Sequence, residues 1–442
     1  MRLLVLDTEN SGLDLAMRAS EAGHEVRLFR YCRRPTKFGT GFGKQFQLID
    51  DWKASMPWAR EGLVFMTGNS RYVTELDRFR DLGYRNIFGP TAASAKLEIN
   101  RSAGMEVMVA AGIDVPPYEM FDSLEEAEAF ARKTNEAWVF KPMGDSNDKS
   151  LTMVAKDPAD LVGWLQRQIK AGEKLQGKVM LQKKIKKMAE IGVSAWMGSD
   201  GFLPERLHVC FEFKPLHAGD IGMNTGEQGS VAAYTDIDKL AAEMLLPLEG
   251  VFRALGHRGD TAIGAMVDEN GKAWPLEFTC RTGHPLCWIQ ASSHRGDPIL
   301  WMKDALEGKD TLRVSHDVAI GVVLSQPTYP FELAPPEKTE GIPIQGAEDV
   351  LPNLHLVEAM KGRGPVMAGG KVVERPTFQT AGEYVGVATG LGKTVSKAMK
   401  RVYATVDKVH FPDMGYRHDI GARLEKELPE LHRAGYATNV EF

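Results

Sequence analysis

The sequence predicts an α/β protein of several domains, on three observations. Its 442 residues are enough for roughly two to four domains. Its N-terminal stretch alternates short apolar strands with helix-spaced segments, the pattern of a doubly wound parallel sheet. Its middle carries a β-hairpin whose second strand ends in an acid and an arginine, Glu277 and Arg281.

Each element follows from local pattern. Arg2–Leu6 reads as a buried strand, Thr8–Gly12 as a polar turn, Leu13–Ala22 as a helix closed by Gly23, and Glu25–Phe29 as a second strand. Leu63–Thr67, a helix over Arg71–Leu82 and Ile87-Phe88 continue the alternation, so a first domain is expected over residues 1–92. Its first loop, Asp7-Thr-Glu-Asn-Ser-Gly12, is not the Gly-x-Gly-x-x-Gly of a dinucleotide site, so a nicotinamide cofactor is not expected. One helix is predicted over Ala93–Ala111, closed by Gly112 and blocked by Pro116-Pro117. Ser123–Thr134 reads as a helix with a capping box from Ser123 and Glu126.

Trp138–Lys141 is a strand ending in a lysine. The polar loop 142–150 and the strand Leu151–Ala155 follow it. Such a unit is either a flap over a nucleotide or an ordinary hairpin. Asp157–Lys170 is helical, and the strand Lys178–Gln182 leads into the basic run Lys183-Lys-Ile-Lys-Lys187, read as a solvated strand end. In Ala265–Arg281 the four residues Asp268-Glu-Asn-Gly271 make the turn, and Glu277 stands at a strand end. A second domain is expected over 93–312, with a mobile lid at about 115–190. The third, over 313–442, is expected to be α+β: the strand Val318–Leu324, a Pro-rich loop, short strands and turns over 340–388, and a helix over Thr394–Val409.

Composition excludes several classes. A net charge of −5 gives no nucleic-acid stripe. No apolar run reaches 18 residues, and Met1–Leu6 is too short for a signal segment, so no membrane partner is expected. Four cysteines without a C-x-x-C pair point to a reducing compartment, with the cytoplasm as the default.

Several landmarks fall in order along the chain: Gly89-Pro-Thr91, Arg101, Lys141, the loop 144–150, Gly219-Asp-Ile-Gly-Met-Asn-Thr-Gly226, Leu276-Glu-Phe-Thr-Cys-Arg281, and Tyr416-Arg-His-Asp-Ile-Gly-Ala-Arg423. In these the chain resembles the glycinamide ribonucleotide synthetase (phosphoribosylamine–glycine ligase) family of the ATP-grasp superfamily. The resemblance implies an ATP-grasp fold and an ATP-dependent carboxylate–amine ligation through an acyl phosphate, using ATP with Mg²⁺ or Mn²⁺. Glycine or another amino acid is the implied acid, and phosphoribosylamine or an analogue the implied amine, in a monomer or dimer.

The resemblance also implies roles. Arg101, Lys141 and Lys149 would hold phosphate, with Lys149 on a flexible flap. Gln182, Lys184 and Ile185 lie in the adenine hinge. Glu277 would hold the metal, with Thr279 beside it. Arg281, Lys214 and Asn224 form the implied catalytic set, and Asn10, Ser11, Asp220, Thr225, Gly226 and His284 the substrate side.

The departures fall mostly on that substrate side. The ribose-binding acid of the family falls at Gly192 here. Glu190, on the same strand face, either takes that role or is an ordinary exposed acid. Thr279 stands where the family has Asn, and the flap is Asp145-Ser-Asn-Asp148. Thr282-Gly-His284-Pro-Leu286 replaces a run carrying two acids. His284 is either a base or a loop residue. Thr8-Glu9-Asn10-Ser11-Gly12 replaces a glycine-rich loop, and a Glu there would repel a phosphate. ATP chemistry is therefore expected to be kept and the substrate pair to differ. An ATP-binding pseudoenzyme is the alternative class.

Overall fold

A computed structural model describes residues 1–442 apart from 33–35, 143–151, 173–177, 237 and 332. Five parallel strands form the first sheet: β1 (Arg2–Asp7), β2 (Glu25–Arg30), β3 (Gln47–Ile49), β4 (Leu63–Met66) and β5 (Ile87–Phe88), in the order β3-β2-β1-β4-β5. The order reverses between β1 and β4, and the loops after those strands flank the crevice where a doubly wound sheet binds ligands. The strand Gln47–Ile49 and the helix Trp52–Ala59 have no sequence-based forecast above.

The helix expected over Ala93–Ala111 is two helices, Ala92–Ile99 and Arg101–Ala110. Asn100 adopts an extended backbone, and its side chain accepts from the Ala103 amide. An asparagine that caps so well ends one helix and starts another. The break places Arg101 at the start of the second helix.

The second sheet holds β6 (Tyr118–Phe121), β7 (Trp138–Pro142), β8 (Met153–Val154) and β9 (Val179–Lys183), in the order β6-β9-β7-β8. Trp138, Phe140, Val179 and Leu181 pack with Leu124, Ala127, Leu161 and Leu165 of two helices. Because strand side chains alternate, Val139, Lys141, Met180 and Gln182 face the other way.

The largest sheet is antiparallel. Its strands are β10 (Lys187–Met197) and β11 (Leu207–Glu212), then, beyond the short hairpin β12 (Pro215–His217) and β13 (Ile221–Asn224), β14 (Gly229–Thr235), β15 (Gly259–Asp268) and β16 (Ala273–Thr279). After the short pair β17 (His294–Arg295) and β18 (Arg313–Val314), it continues into β19 (Val318–Ser325). Following β20 (Glu340–Pro343) come β21 (Leu354–Leu356), β22 (Ala359–Ala368), β23 (Lys371–Ala381) and β24 (Tyr384–Gly392). The eight-stranded order is β16-β15-β10-β11-β14-β19-β24-β21. Position 312 thus lies between strands of one sheet, because β19 pairs with the edge of β14.

The stretch expected as short strands and turns contains one long ribbon, β22–β23, of 10 and 11 residues. Gly369 and Gly370 join it with φ of +58° and +75°, the left-handed values that a tight hairpin requires. No helix among the described residues is long and apolar enough to cross a membrane.

Candidate active site

The hairpin sets the metal-side acid. The expected turn is present, with the Gly271 amide donating to the Asp268 carbonyl. The β15–β16 register shifts: Ala265 faces Pro275, whereas Gly264 faces Glu277. Leu276 is the extra residue. Pro275 has no amide to give to the ladder, and a bulge accommodates it. The bulge frees the Leu276 carbonyl, which accepts from Lys141 Nζ at 3.3 Å. Glu277 and Thr279 then share a face of β16. Between Glu277 and β10 stands Gly264, where a Cβ would have open space around it.

Cations from three elements meet there. Arg101 Nη2 lies 3.4 Å from Glu277 Oε2. Burial pulls the Lys141 pKa from 10.5 down to about 8; Glu277 opposes this, while Arg101 and Lys214 add to it. Lys214 Nζ lies 2.6 Å from Glu190 Oε1 and 2.7 Å from Glu212 Oε2. Burial alone would lower the Lys214 pKa, but Glu190 and Glu212 outweigh it and hold it well above its usual value. Burial raises the Glu190 pKa, and Lys214 more than reverses that. Glu190 is therefore a paired, half-buried acid rather than an ordinary exposed one. On the facing sheet Gln182 is buried, and its Nε2 has no hydrogen-bond partner among the described residues. Lys184 Nζ donates to the Ala155 carbonyl, and Ile185 lies half-buried in the link from β9 to β10. The rest of the basic run is solvated strand end, with Lys183 on Glu136 and Lys186 on Glu269. Lys149 and its flap lie outside the described residues.

Arg281 forms the second half. Its guanidinium lies 3.3 Å from Glu98, a residue with no forecast from sequence. Glu98 also accepts from the Cys280 amide and from Asn69, each at 2.7 Å. Burial lowers the Arg281 pKa, but Glu98, Glu9, Glu277 and Glu227 together raise it. The next residue, Thr282, donates to the Thr67 carbonyl at 2.7 Å and ties this corner to the β1/β4 crevice. His284 packs its ring 5.5 Å from that of Trp288.

The remaining substrate-side residues separate. Asn10 takes φ +56° and donates to Glu358 at 2.7 Å. Ser11 is buried beside it. Thr225 uses both amide and hydroxyl on the Lys214 carbonyl, so it positions Lys214. Asn224 lies opposite Pro215 in the short hairpin, and Gly226 is exposed. Asp220 is 3.0 Å from the buried Arg417 and 3.7 Å from Arg423. Its carboxylate therefore anchors the 215–226 loop to the C-terminal Asp-Ile-Gly-x-Arg segment. Glu98, Glu212 and Glu227 escaped the sequence reading because no motif spacing marks them.

Two sheets that face each other across Lys141, with cations meeting a carboxylate on an edge strand, define an ATP-grasp enzyme. Two family models match: Phosphoribosylglycinamide synthetase, ATP-grasp (A) domain, over residues 101–287, and Phosphoribosylglycinamide synthetase, C domain, over 319–423. The phosphoribosylamine–glycine ligase of Ralstonia nicotianae is 26% identical over 360 residues, covering 79% of this chain and 81% of that protein. The ligase of the same name from Escherichia coli O157:H7 is 26% identical over 377 residues, covering 80% and 81%. The crystal structure of the Thermotoga maritima phosphoribosylamine–glycine ligase superposes with a TM-score of 0.70 at 21% identity, covering 95% of this chain and all of that one. A biotin carboxylase from Campylobacter jejuni shares the fold, with a TM-score of 0.61 at 14% identity and coverage of 99% and 97%. The chain belongs to the phosphoribosylamine–glycine ligase family, and it is an ATP-dependent, ADP-forming carboxylate–amine ligase.

Proposed function

We propose that this ligase activates a small amino acid, with glycine as the first choice, and joins it to phosphoribosylamine or an analogue of that amine. The observation that carries the reading is the convergence of Lys141, Arg101 and Glu277 around the bulge at Leu276. The γ-phosphoryl group would lie among these cations, where they neutralise its equatorial oxygens. The amide nitrogen of Gln182, without a partner among the described residues and on the same sheet face as Lys141, supports an adenine seat there.

A carboxylate oxygen of the amino acid attacks the γ-phosphorus, and ADP leaves. The amine nitrogen then attacks the acyl carbon, the carbon–oxygen bond to phosphate breaks, and the nitrogen loses its proton. Arg281, held by Glu98, would steady the phosphate of the acyl group. Lys214, with Asn224 near it in the chain, would complete this set.

The donor set fits a metal that arrives with its nucleotide. No group of three or more His, Cys, Asp or Glu side chains among the described residues could hold an ion. Mg²⁺ uses one or two carboxylates plus substrate phosphates, and Glu277 with Thr279 would supply the protein's share, for Mg²⁺ or Mn²⁺. When bound, such an ion would supply charge neutralisation for the nucleotide phosphates. The four free cysteines support a cytoplasmic setting, and the ligase would act as a monomer or dimer. The test is ADP release by the full chain. Release that needs ATP, an amino acid and an amine together is expected; no release with any amino acid and amine pair would reject the reading.

A further inference from the structure

The crevice between the β1 and β4 loops is where a doubly wound sheet receives a ligand, and the loop amides before a helix make an anion seat. In this chain that seat is filled from within. The Asp7 carboxylate, buried at the end of β1, accepts from the amides of Glu9 at 3.1 Å, Ser11 at 3.0 Å and Gly12 at 2.8 Å, and from the Thr67 hydroxyl at 3.1 Å. Gly12 is the residue that opens the helix Leu13–Glu21, so the donors that would grip a phosphate are committed to a side chain.

A second carboxylate stands in the same crevice. Glu9 Oε1 is so close to Gly68, in the loop after β4, that a Cβ on Gly68 would lie 2.6 Å from it. Beyond Glu9 lies the Arg281–Glu98 pair, with Glu227 adding to the negative field on Arg281. The Asn10 side-chain amide is spent on Glu358. Among the described residues the buried Ser11 hydroxyl has no hydrogen-bond partner. A neutral donor–acceptor left unmatched suits a ligand hydroxyl.

We infer that the amine substrate of this ligase carries no phosphate: Asp7 occupies the anion seat, Glu9 repels a phosphate from the crevice, and the pocket accepts a hydroxylated, neutral or cationic amine. This rests on the ligase reading above and narrows its second substrate. Two buried or half-buried carboxylates cannot share a crevice with a phosphate dianion without losing the hydrogen bonds that hold them.

The experiment compares ribose 5-phosphate with ribose, a pair differing only in the phosphate, by calorimetric titration of the full chain. It is run with and without a non-hydrolysable ATP analogue, which keeps the probe out of the nucleotide seat. A phosphate held by two or three charge-assisted N–H bonds binds on the order of tenfold or more tighter than the molecule without it. The expected result is that ribose 5-phosphate binds no tighter than ribose, including no measurable binding of either. Tightening by about fivefold or more with the analogue present would overturn the inference. Asp7→Ala releases the loop amides and is expected to raise ribose 5-phosphate affinity about tenfold while leaving ribose unchanged; a folded variant without that gain also overturns it. Should Asp7→Ala not fold, Glu9→Gln, at a half-buried position, is expected to shift affinity in the same direction, and no shift counts against the inference. Failure of the ATP analogue to bind would instead reject the ligase reading, so the two failures are distinct.

Discussion

Asp14 Oδ2 and His355 Nδ1 lie 2.9 Å apart, and this contact joins the first helix of the N-terminal sheet to the far edge of the eight-stranded sheet. Arg18 Nε, also 2.9 Å from the same carboxylate, completes the cluster from a half-buried position. Burial raises the Asp14 pKa, but His355 and then Arg18 outweigh it and bring it from 3.8 to about 2. Burial likewise holds His355 below its usual value, against the pull of Asp14.

A depressed carboxylate pKa adds stability above the unfolded value and loses it as pH falls through the folded value, here from near 3.8 to about 2. A shift of this size corresponds to roughly 2 kcal/mol. His355, held below its usual pKa, is neutral at pH 7, so Arg18 is the charged partner there, and Asp14→Asn is expected to lose about 1–2 kcal/mol. The gap from the parent protein should shrink as pH is taken from 4 towards 2. Urea unfolding of both proteins at pH 7 and pH 3 checks this, and equal stability at pH 7 would show that the cluster contributes nothing.

Lys141→Ala is expected to weaken ATP binding about tenfold or more, since a charge-assisted phosphate contact contributes roughly 1.5–3 kcal/mol. The lysine is already aimed, through its bond to the Leu276 carbonyl. Titration with a non-hydrolysable ATP analogue measures it. Unchanged affinity would place the phosphates elsewhere.

Glu277→Gln should reduce kcat more than nucleotide affinity. It keeps the shape and removes the charge that a divalent ion would meet, and that ion stabilises charge developing in transfer. Steady-state turnover across a Mg²⁺ series, paired with nucleotide titration, separates the two effects. Parent-like turnover at saturating Mg²⁺ would exclude Glu277 as the metal-side residue.

Gly390→Ala is expected to destabilise the fold by about 1–3 kcal/mol. A Cβ at Gly390 would sit 2.4 Å from the backbone nitrogen of Val402, and one at Gly392 2.5 Å from that of Ala398. The two glycines share a face of β24 and let the helix Val395–Val406 lie directly on it. Denaturant unfolding tests this; a neutral substitution would mean that the helix shifts at no cost.

Much of this was legible because it is local. The alternation of Arg2–Leu6, Leu13–Ala22 and Glu25–Phe29 encodes the parallel sheet within thirty residues. The Asp268–Gly271 turn fixes the hairpin that carries Glu277, and the strand-end position of Lys141 follows from period-two patterning. The family resemblance rested on motifs of similarly short range. The second sheet's two faces could also be told apart, since Trp138, Phe140, Val179 and Leu181 alternate with Val139, Lys141, Met180 and Gln182.

Tertiary structure decided the rest. The helix break at Asn100 is the exception: it is local, a side-chain cap worth about 1 kcal/mol that the apolar pattern favouring one continuous helix conceals. The bulge at Leu276 depends on pairing with a strand whose register no single segment states. The crevice depends on still longer separations: Asp7 with Thr67, Thr282 with Thr67, Glu98 with Arg281, and Asn10 with Glu358. A sequence alone determines which residues carry charge and which local element holds them. Which carboxylate faces which donor is set when distant segments pack, because a buried polar group takes the partner that the fold brings to it.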